Sequence, residues 1–181
     1  MLRKSIFMAV ICVFMAVSII AQTEKPRSAT IVMAESFTKA KETGKNVFLI
    51  FHATWCSWCK KLDKVMQSDE LKKIFEDNFI VTHLDVRESG EDKIAEFENP
   101  GGKELMKTLG ATEKGGIPFY AFLDKKGKML ANSNVMPKDQ NIGYPGSPEE
   151  LDAFAKIIKI GAPKMPESQL ATIVDFFKKT K

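Results

Sequence analysis

Trp55-Cys56-Ser57-Trp58-Cys59-Lys60 follows directly on the apolar run Val47-Phe48-Leu49-Ile50-Phe51, and the reading of this junction decides the rest. Two cysteines three positions apart at a strand-to-helix turn can form a reversible disulfide. A thiolate in the first turn of a helix is favoured by the positive end of the backbone dipole and by amide donors that lack an intrahelical partner. Cys-x-x-Cys sites reach thiol pKa values of roughly 3.5 to 7.5 in this way. The stretch predicts a dithiol redox centre in which Cys56 attacks and Cys59 resolves, provided that a visiting chain can reach Cys56.

Residues 46–52 read as a continuous apolar strand buried on both faces, preceded by a short helix over 37–43 that Gly44 ends. After the cysteines, Trp58, Leu62, Val65 and Met66 fall at i, i+4, i+7 and i+8, the stripe of an amphipathic helix. Leu71, Ile74 and Phe75 repeat that spacing within 68–77, with Ser68 as the expected cap. Residues 79–85 form the next strand, and a helix between two buried strands implies a parallel, right-handed crossover. The acidic segment 87–102, closing on Asn99-Pro100-Gly101-Gly102, reads as a solvated insertion, and 103–109 as a short helix. Strands over 119–123 and 128–133 flank Asp124-Lys125-Lys126-Gly127 as a hairpin. Residues 137–148 read as loop. Ser147-Pro148-Glu149-Glu150 then opens a helix with a cap, a first-turn proline and a glutamate three residues after the cap. Leu170, Ile173, Val174 and Phe177 form the stripe of the last helix.

With 181 residues and 44% hydrophobic content, the chain suits one globular domain with a sizeable core. Its first residues stand apart. Arg3 and Lys4 precede an apolar run from Ile6 to about Val17, then Ser18-Ile19-Ile20-Ala21 and the polar Gln22-Thr23-Glu24. This layout predicts a secretory signal peptide over 1–21, with the domain over 22–181. An uncleaved membrane anchor is the alternative, although the run is slightly shorter than the ~20 apolar residues a span prefers. Ile11 before Cys12 argues against a lipoprotein cysteine. Cleavage lowers Lys+Arg from 27 to 25 against 23 acidic residues, and nothing in that balance points to nucleic acid. It also removes Cys12, leaving Cys56 and Cys59. A bridge across so short a loop gives little chain-entropy stabilisation, so chemistry explains the pair better than stability does.

The order of strand, Trp-Cys-x-x-Cys-Lys, helix, strand ending at Asp85, helix, then Gly115-Gly116-Ile117-Pro118 opening a hairpin resembles the thioredoxin superfamily. It is most similar to exported bacterial thioredoxin-like proteins of the kind found as the C-terminal domain of DsbD. The resemblance spans about 47–133. It implies an α/β thioredoxin fold, a central mixed sheet with helices on both faces. It further implies that Pro118 is cis and faces the cysteines, and that the backbone of Ile117 binds an extended substrate peptide. Trp55 is placed to border the substrate groove, or else serves packing alone. No cofactor is implied. The expected partners are protein thiol or disulfide substrates and a redox partner protein, met by a monomer in the periplasm or outside the cell, in a role in redox homeostasis.

One departure matters. Thioredoxins carry a buried carboxylate six residues before the first cysteine, where this chain has Ile50. Water, Lys60 or His52 would have to stand in for it, with His52 otherwise a structural residue at a strand end. His83 reads as a partly buried sheet residue. Lys60 and Lys61 either favour a Cys56 thiolate or simply form a solvated helix face. Two other functions use the same residues. Cys56 and Cys59 could ligate Cu(I), or Zn(II) if His52 and His83 converged on them. A surface of Trp55, Trp58 and Ile117 could bind peptides without redox turnover.

Overall fold

A computed structural model describes residues 25–180, so the predicted signal peptide lies outside the described residues. The elements run α1 (Ala29–Thr43), β1 (Asn46–His52), α2 (Ser57–Met66), α3 (Lys72–Asn78), β2 (Phe79–Asp85), α4 (Glu91–Phe97) and α5 (Gly102–Thr108). They continue with β3 (Phe119–Leu123), β4 (Met129–Asn132), β5 (Asn134–Met136), β6 (Gln140–Asn141), α6 (Pro148–Gly161) and α7 (Glu167–Lys179). The four-stranded sheet has the order β2-β1-β3-β4. β1 is parallel to β2 and antiparallel to β3, with His52 opposite Asp85 and Phe51 opposite Phe119. The sheet is therefore mixed, and it is covered on both faces, as the thioredoxin fold requires.

β1 divides its side chains between two cores because successive residues of a strand point to opposite faces. Phe48 and Ile50 join Leu62, Phe75, Phe154 and Phe177 beneath the α2, α3, α6 and α7 layer. Val47, Leu49 and Phe51 join Met33, Ala40 and Met106 beneath α1 and α5. Phe48 centres an aromatic cluster, its ring 4.5 Å from Phe122 and 5.6 Å from both Phe79 and Tyr120. At the end of α6 only a glycine is small enough: a Cβ on Gly161 would meet the Phe122 ring at 2.3 Å.

Several elements differ from expectation. α1 begins at Ala29 rather than at 37, with the Ser28 side chain accepting from the Ile31 amide. Its buried face is Ala29, Met33, Ser36 and Ala40, mostly small residues without an apolar signature, and the Ser36 hydroxyl is hydrogen-bonded to that of Thr82 at 2.8 Å. Ser68 caps no helix. Its hydroxyl donates to the Val65 carbonyl, and α3 starts later with no side-chain cap. The supposed loop 137–148 contributes β6 to a small ribbon with β5. The largest correction concerns 87–102, which is not merely solvated: it contains α4, and Glu88 within it is buried. Asn99 ties the segment down, accepting from the Asp85 amide at 2.6 Å and donating to the Arg27 carbonyl at 2.7 Å.

Candidate redox site

Cys56 and Cys59 sit where β1 gives way to α2, their sulfurs bonded at 2.10 Å. Cys56 is the N-cap of α2, and its Sγ accepts from the Cys59 amide at 3.1 Å. The cap position puts that sulfur at the positive end of the helix, where a thiolate is favoured. Both residues are largely covered, Cys56 3% exposed and Cys59 1%. Ala53 and Ile117 pack against them, while Trp55 and Trp58 on either side are each 56% exposed. Cys56 is thus far more covered than the two indoles that flank the pair in the chain.

The peptide bond Ile117–Pro118 is cis, and the Ile117 carbonyl oxygen lies 3.5 Å from Cys56 Sγ. Pro118 is buried and Ile117 half-buried. The sequence therefore identifies the two chain segments that meet at the sulfurs, although Trp55 and Ile117 come from turns far apart in the chain. Trp55 is not a core residue. Its indole nitrogen donates to the Arg87 carbonyl at 2.8 Å.

A groove of ≈ 610 Å³ runs from Ile117 along Trp58 and Lys61 to Ile142, Tyr144 and Glu150. Trp58 stacks on Tyr144 with ring centroids 5.7 Å apart, and Lys61 Nζ lies over both rings, at 5.2 Å and 4.7 Å. Lys61 is thus engaged with aromatic faces, whereas Lys60 is exposed. Asn141 supports the cis unit by donating to the carbonyls of Gly116 and Pro118, each at 2.9 Å.

Ile50 is buried in the aromatic-rich core, so an aliphatic side chain does fill the position of the usual carboxylate. The buried acid of this site is Glu88 instead. It accepts from the Thr54 amide at 2.5 Å and the Thr54 hydroxyl at 2.7 Å, two residues before Cys56. His52 and His83 are bound up with acids rather than with the cysteines. His83 Nε2 is hydrogen-bonded to Asp63 at 2.9 Å, while His52 Nε2 lies 3.5 Å from Asp85 without a hydrogen bond. Burial pushes the His52 pKa down, with Asp85 pulling it back up. Burial raises Asp85 in turn, and His52 opposes that rise. The zinc alternative required both histidines to converge on the sulfurs, and they do not. Among the described residues no group of three or more histidine, cysteine, aspartate or glutamate side chains is arranged to hold a metal. Among these residues, too, no helix is long and apolar enough to cross a membrane.

Arg87, Glu88, Asn141 and Tyr144 were not identifiable as site residues from the sequence. The available hint was indirect: an indole beside the pair needs an acceptor for its N–H, and a polar stretch after β2 could supply one.

The profile of the thioredoxin-like family matches residues 29–125. No curated protein matches the chain significantly. Among solved structures, a disulphide isomerase from Xylella fastidiosa is 23% identical over 83% of this chain and 89% of that one, with a TM-score of 0.49. The C-terminal domain of DsbD from Neisseria meningitidis, in its oxidised form, is 21% identical over 59% and 84%, with a TM-score of 0.42. An exposed lipoprotein thioredoxin from Streptococcus pneumoniae is 27% identical over 66% and 87%, with a TM-score of 0.41.

Proposed function

Because the chain belongs to the thioredoxin-like family, we propose that it is an exported thiol–disulfide oxidoreductase that reduces disulfides in protein substrates. The carrying observation is the bonded Cys56–Cys59 pair at the head of α2, with the carbonyl of the cis Ile117–Pro118 unit 3.5 Å from Cys56 Sγ.

In the reduced protein, the Cys56 thiolate attacks one sulfur of a client disulfide. The client S–S bond breaks, one client thiolate leaves, and a Cys56–client mixed disulfide forms. Cys59 then gives up its proton, attacks Cys56 Sγ and displaces the second client thiolate. The client gains two electrons and two protons, and the pair ends as the disulfide described above. A partner protein supplying a dithiol returns it to the reduced state. In this scheme Trp55 borders the docked client and the Ile117 backbone pairs with it as an added strand. Pro118 donates no amide and keeps the adjoining turn against the sulfurs.

The reductant direction rests on the likeness of the motif and its surroundings to thioredoxin-like reductant carriers, and export rests on the leader-like residues 1–21. Equilibration of the pair with glutathione tests the direction. A midpoint near the ~−270 mV end of known dithiol proteins supports a reductant, and one near ~−120 mV makes the protein an oxidant. A Cys59→Ser variant that accumulates Cys56-linked partners supports the exchange reaction. Absence of any exchange with a model disulfide removes it. The mass of the mature N-terminus tests cleavage after Ala21.

A further inference from the structure

We propose that Arg87 is a positioning residue for client docking, tying Trp55, next to Cys56 in the chain, to the turn that leads into the cis Ile117–Pro118 unit; this rests on the exchange function proposed above. Arg87 follows β2 with its backbone in the left-handed region, φ 57°, a conformation that residues with a Cβ rarely adopt. It is half-buried and bonds in two directions. Its carbonyl receives the Trp55 indole N–H, fixing the indole of the residue before Cys56. Its guanidinium reaches the other way, Nη2 donating to the Thr112 carbonyl at 2.8 Å and Nη1 to the Gly115 carbonyl.

Residues 112–116 have no regular structure and lead straight into the cis unit. Within 112–116 the backbone bond besides those to Arg87 runs from the Gly115 amide to the Thr112 carbonyl, so the turn depends on outside donors. Arg87 holds its near end and Asn141 its far end. The guanidinium suits this task because its donors form a rigid fork that can satisfy two carbonyls at once, while its permanent charge strengthens both bonds. Glu88, the next residue, grips Thr54 from the same segment. The left-handed backbone at Arg87 thus lets one residue present its carbonyl to Trp55 and its side chain to the turn before Pro118.

None of these groups is within hydrogen-bond distance of a sulfur. Loss of the Arg87 fork therefore loosens docking of an extended chain and leaves the sulfur chemistry intact. The test compares wild type, Arg87→Ala and Arg87→Lys on two oxidised substrates, with dithiothreitol as the electron donor. The substrates are insulin, a protein disulfide, and hydroxyethyl disulfide, which is too small to span the groove. Arg87→Ala is expected to lower kcat/KM for insulin by about tenfold, chiefly by raising KM, while the hydroxyethyl disulfide rate stays within about twofold. The equilibrium of the pair with glutathione should not move. Arg87→Lys, whose single ammonium cannot serve both carbonyls, should fall between the two and answers the question if the alanine variant does not fold. Equal losses on both substrates, or unchanged insulin kinetics in both variants, overturn the role of Arg87. Wild type inactive on both substrates overturns the exchange function itself.

Discussion

From Cys56 to Lys60 the backbone holds its shape through bonds to its own neighbours. The Cys56 amide donates to Ala53 O, the Cys59 amide to Cys56 Sγ and the Lys60 amide to Cys56 O. Residues 86–88 do the opposite, reaching to other parts of the chain. Val86 donates its amide to His52 O, Arg87 reaches Trp55, Thr112 and Gly115, and Glu88 holds Thr54. The first segment supplies the reacting atoms and is encoded locally. The second supplies no reacting atom and acquires its role only when β2 lies parallel to β1, with Asp85 beside His52. Chemistry and its scaffolding are thus written into the sequence at different ranges.

The sharpest way to separate the two segments is to substitute each in turn. Cys56→Ser should reduce disulfide exchange to the uncatalysed rate, because the attacking sulfur is gone. Cys59→Ser should keep the first step and stall as a mixed disulfide, visible as a mass adduct on non-reducing gels. In the scaffold, Glu88→Ala leaves the Thr54 amide and hydroxyl without their acceptor, a loss of about 1–3 kcal/mol in stability. For a chain of this size that lowers Tm by roughly 2–4 °C per kcal/mol. Glu88→Gln, which keeps an acceptor oxygen, should lose less. An unchanged Tm for Glu88→Ala would erase the distinction between the segments.

A third measurement uses pH. Below its ordinary pKa of 6.5, His52 binds fewer protons in the folded protein than in the unfolded chain, because burial holds its pKa down. Stability should therefore fall as pH drops from 7 through 6.5, until folded His52 itself is protonated. Asp85, raised chiefly by burial above its ordinary 3.8, acts in the opposite sense. Near that lower pH the folded state binds more protons, so acidification there restores part of what His52 lost. Urea midpoints at pH 7 and pH 5.5 should differ for wild type and converge in His52→Asn. The smallest effect belongs to Lys61→Ala. A partly solvated ammonium over an aromatic ring contributes roughly 0.5–1 kcal/mol, so a larger loss in a thermal melt would mean that the stack of exposed Trp58 on buried Tyr144 depends on the ammonium.

Legibility followed the same division. The spans of β1, β2 and β3 could be read residue by residue, since β1 and β3 are built on continuous apolar runs and β2 opens on one, Phe79 to Val81. The capping box at Ser147 and Glu150 was equally plain. The first turns of α1 were hidden because their buried face, Ala29, Met33 and Ser36, contrasts little with the other faces, where Ile31 is exposed. Arg87, Glu88 and Asn141 were hidden for a different reason: a charged or amide side chain in a polar stretch looks the same whether it faces water or a carbonyl far along the chain. The cysteines and Pro118 were visible through their family pattern. The absent carboxylate at Ile50 was visible too, but the buried acid at Glu88 was not.

Cys56 Sγ has a second duty, as the acceptor that caps α2. A thiolate accepts an amide proton more strongly than a sulfur already joined to another, so gaining electrons should tighten the first turn of that helix. The coupling is reciprocal. Anything that firms the head of α2 draws electrons into the pair, and fraying there expels them. Amide hydrogens at Cys59 and Lys60 should accordingly exchange with solvent more slowly once the bridge is opened, making a few backbone protons a gauge of the protein's electron affinity.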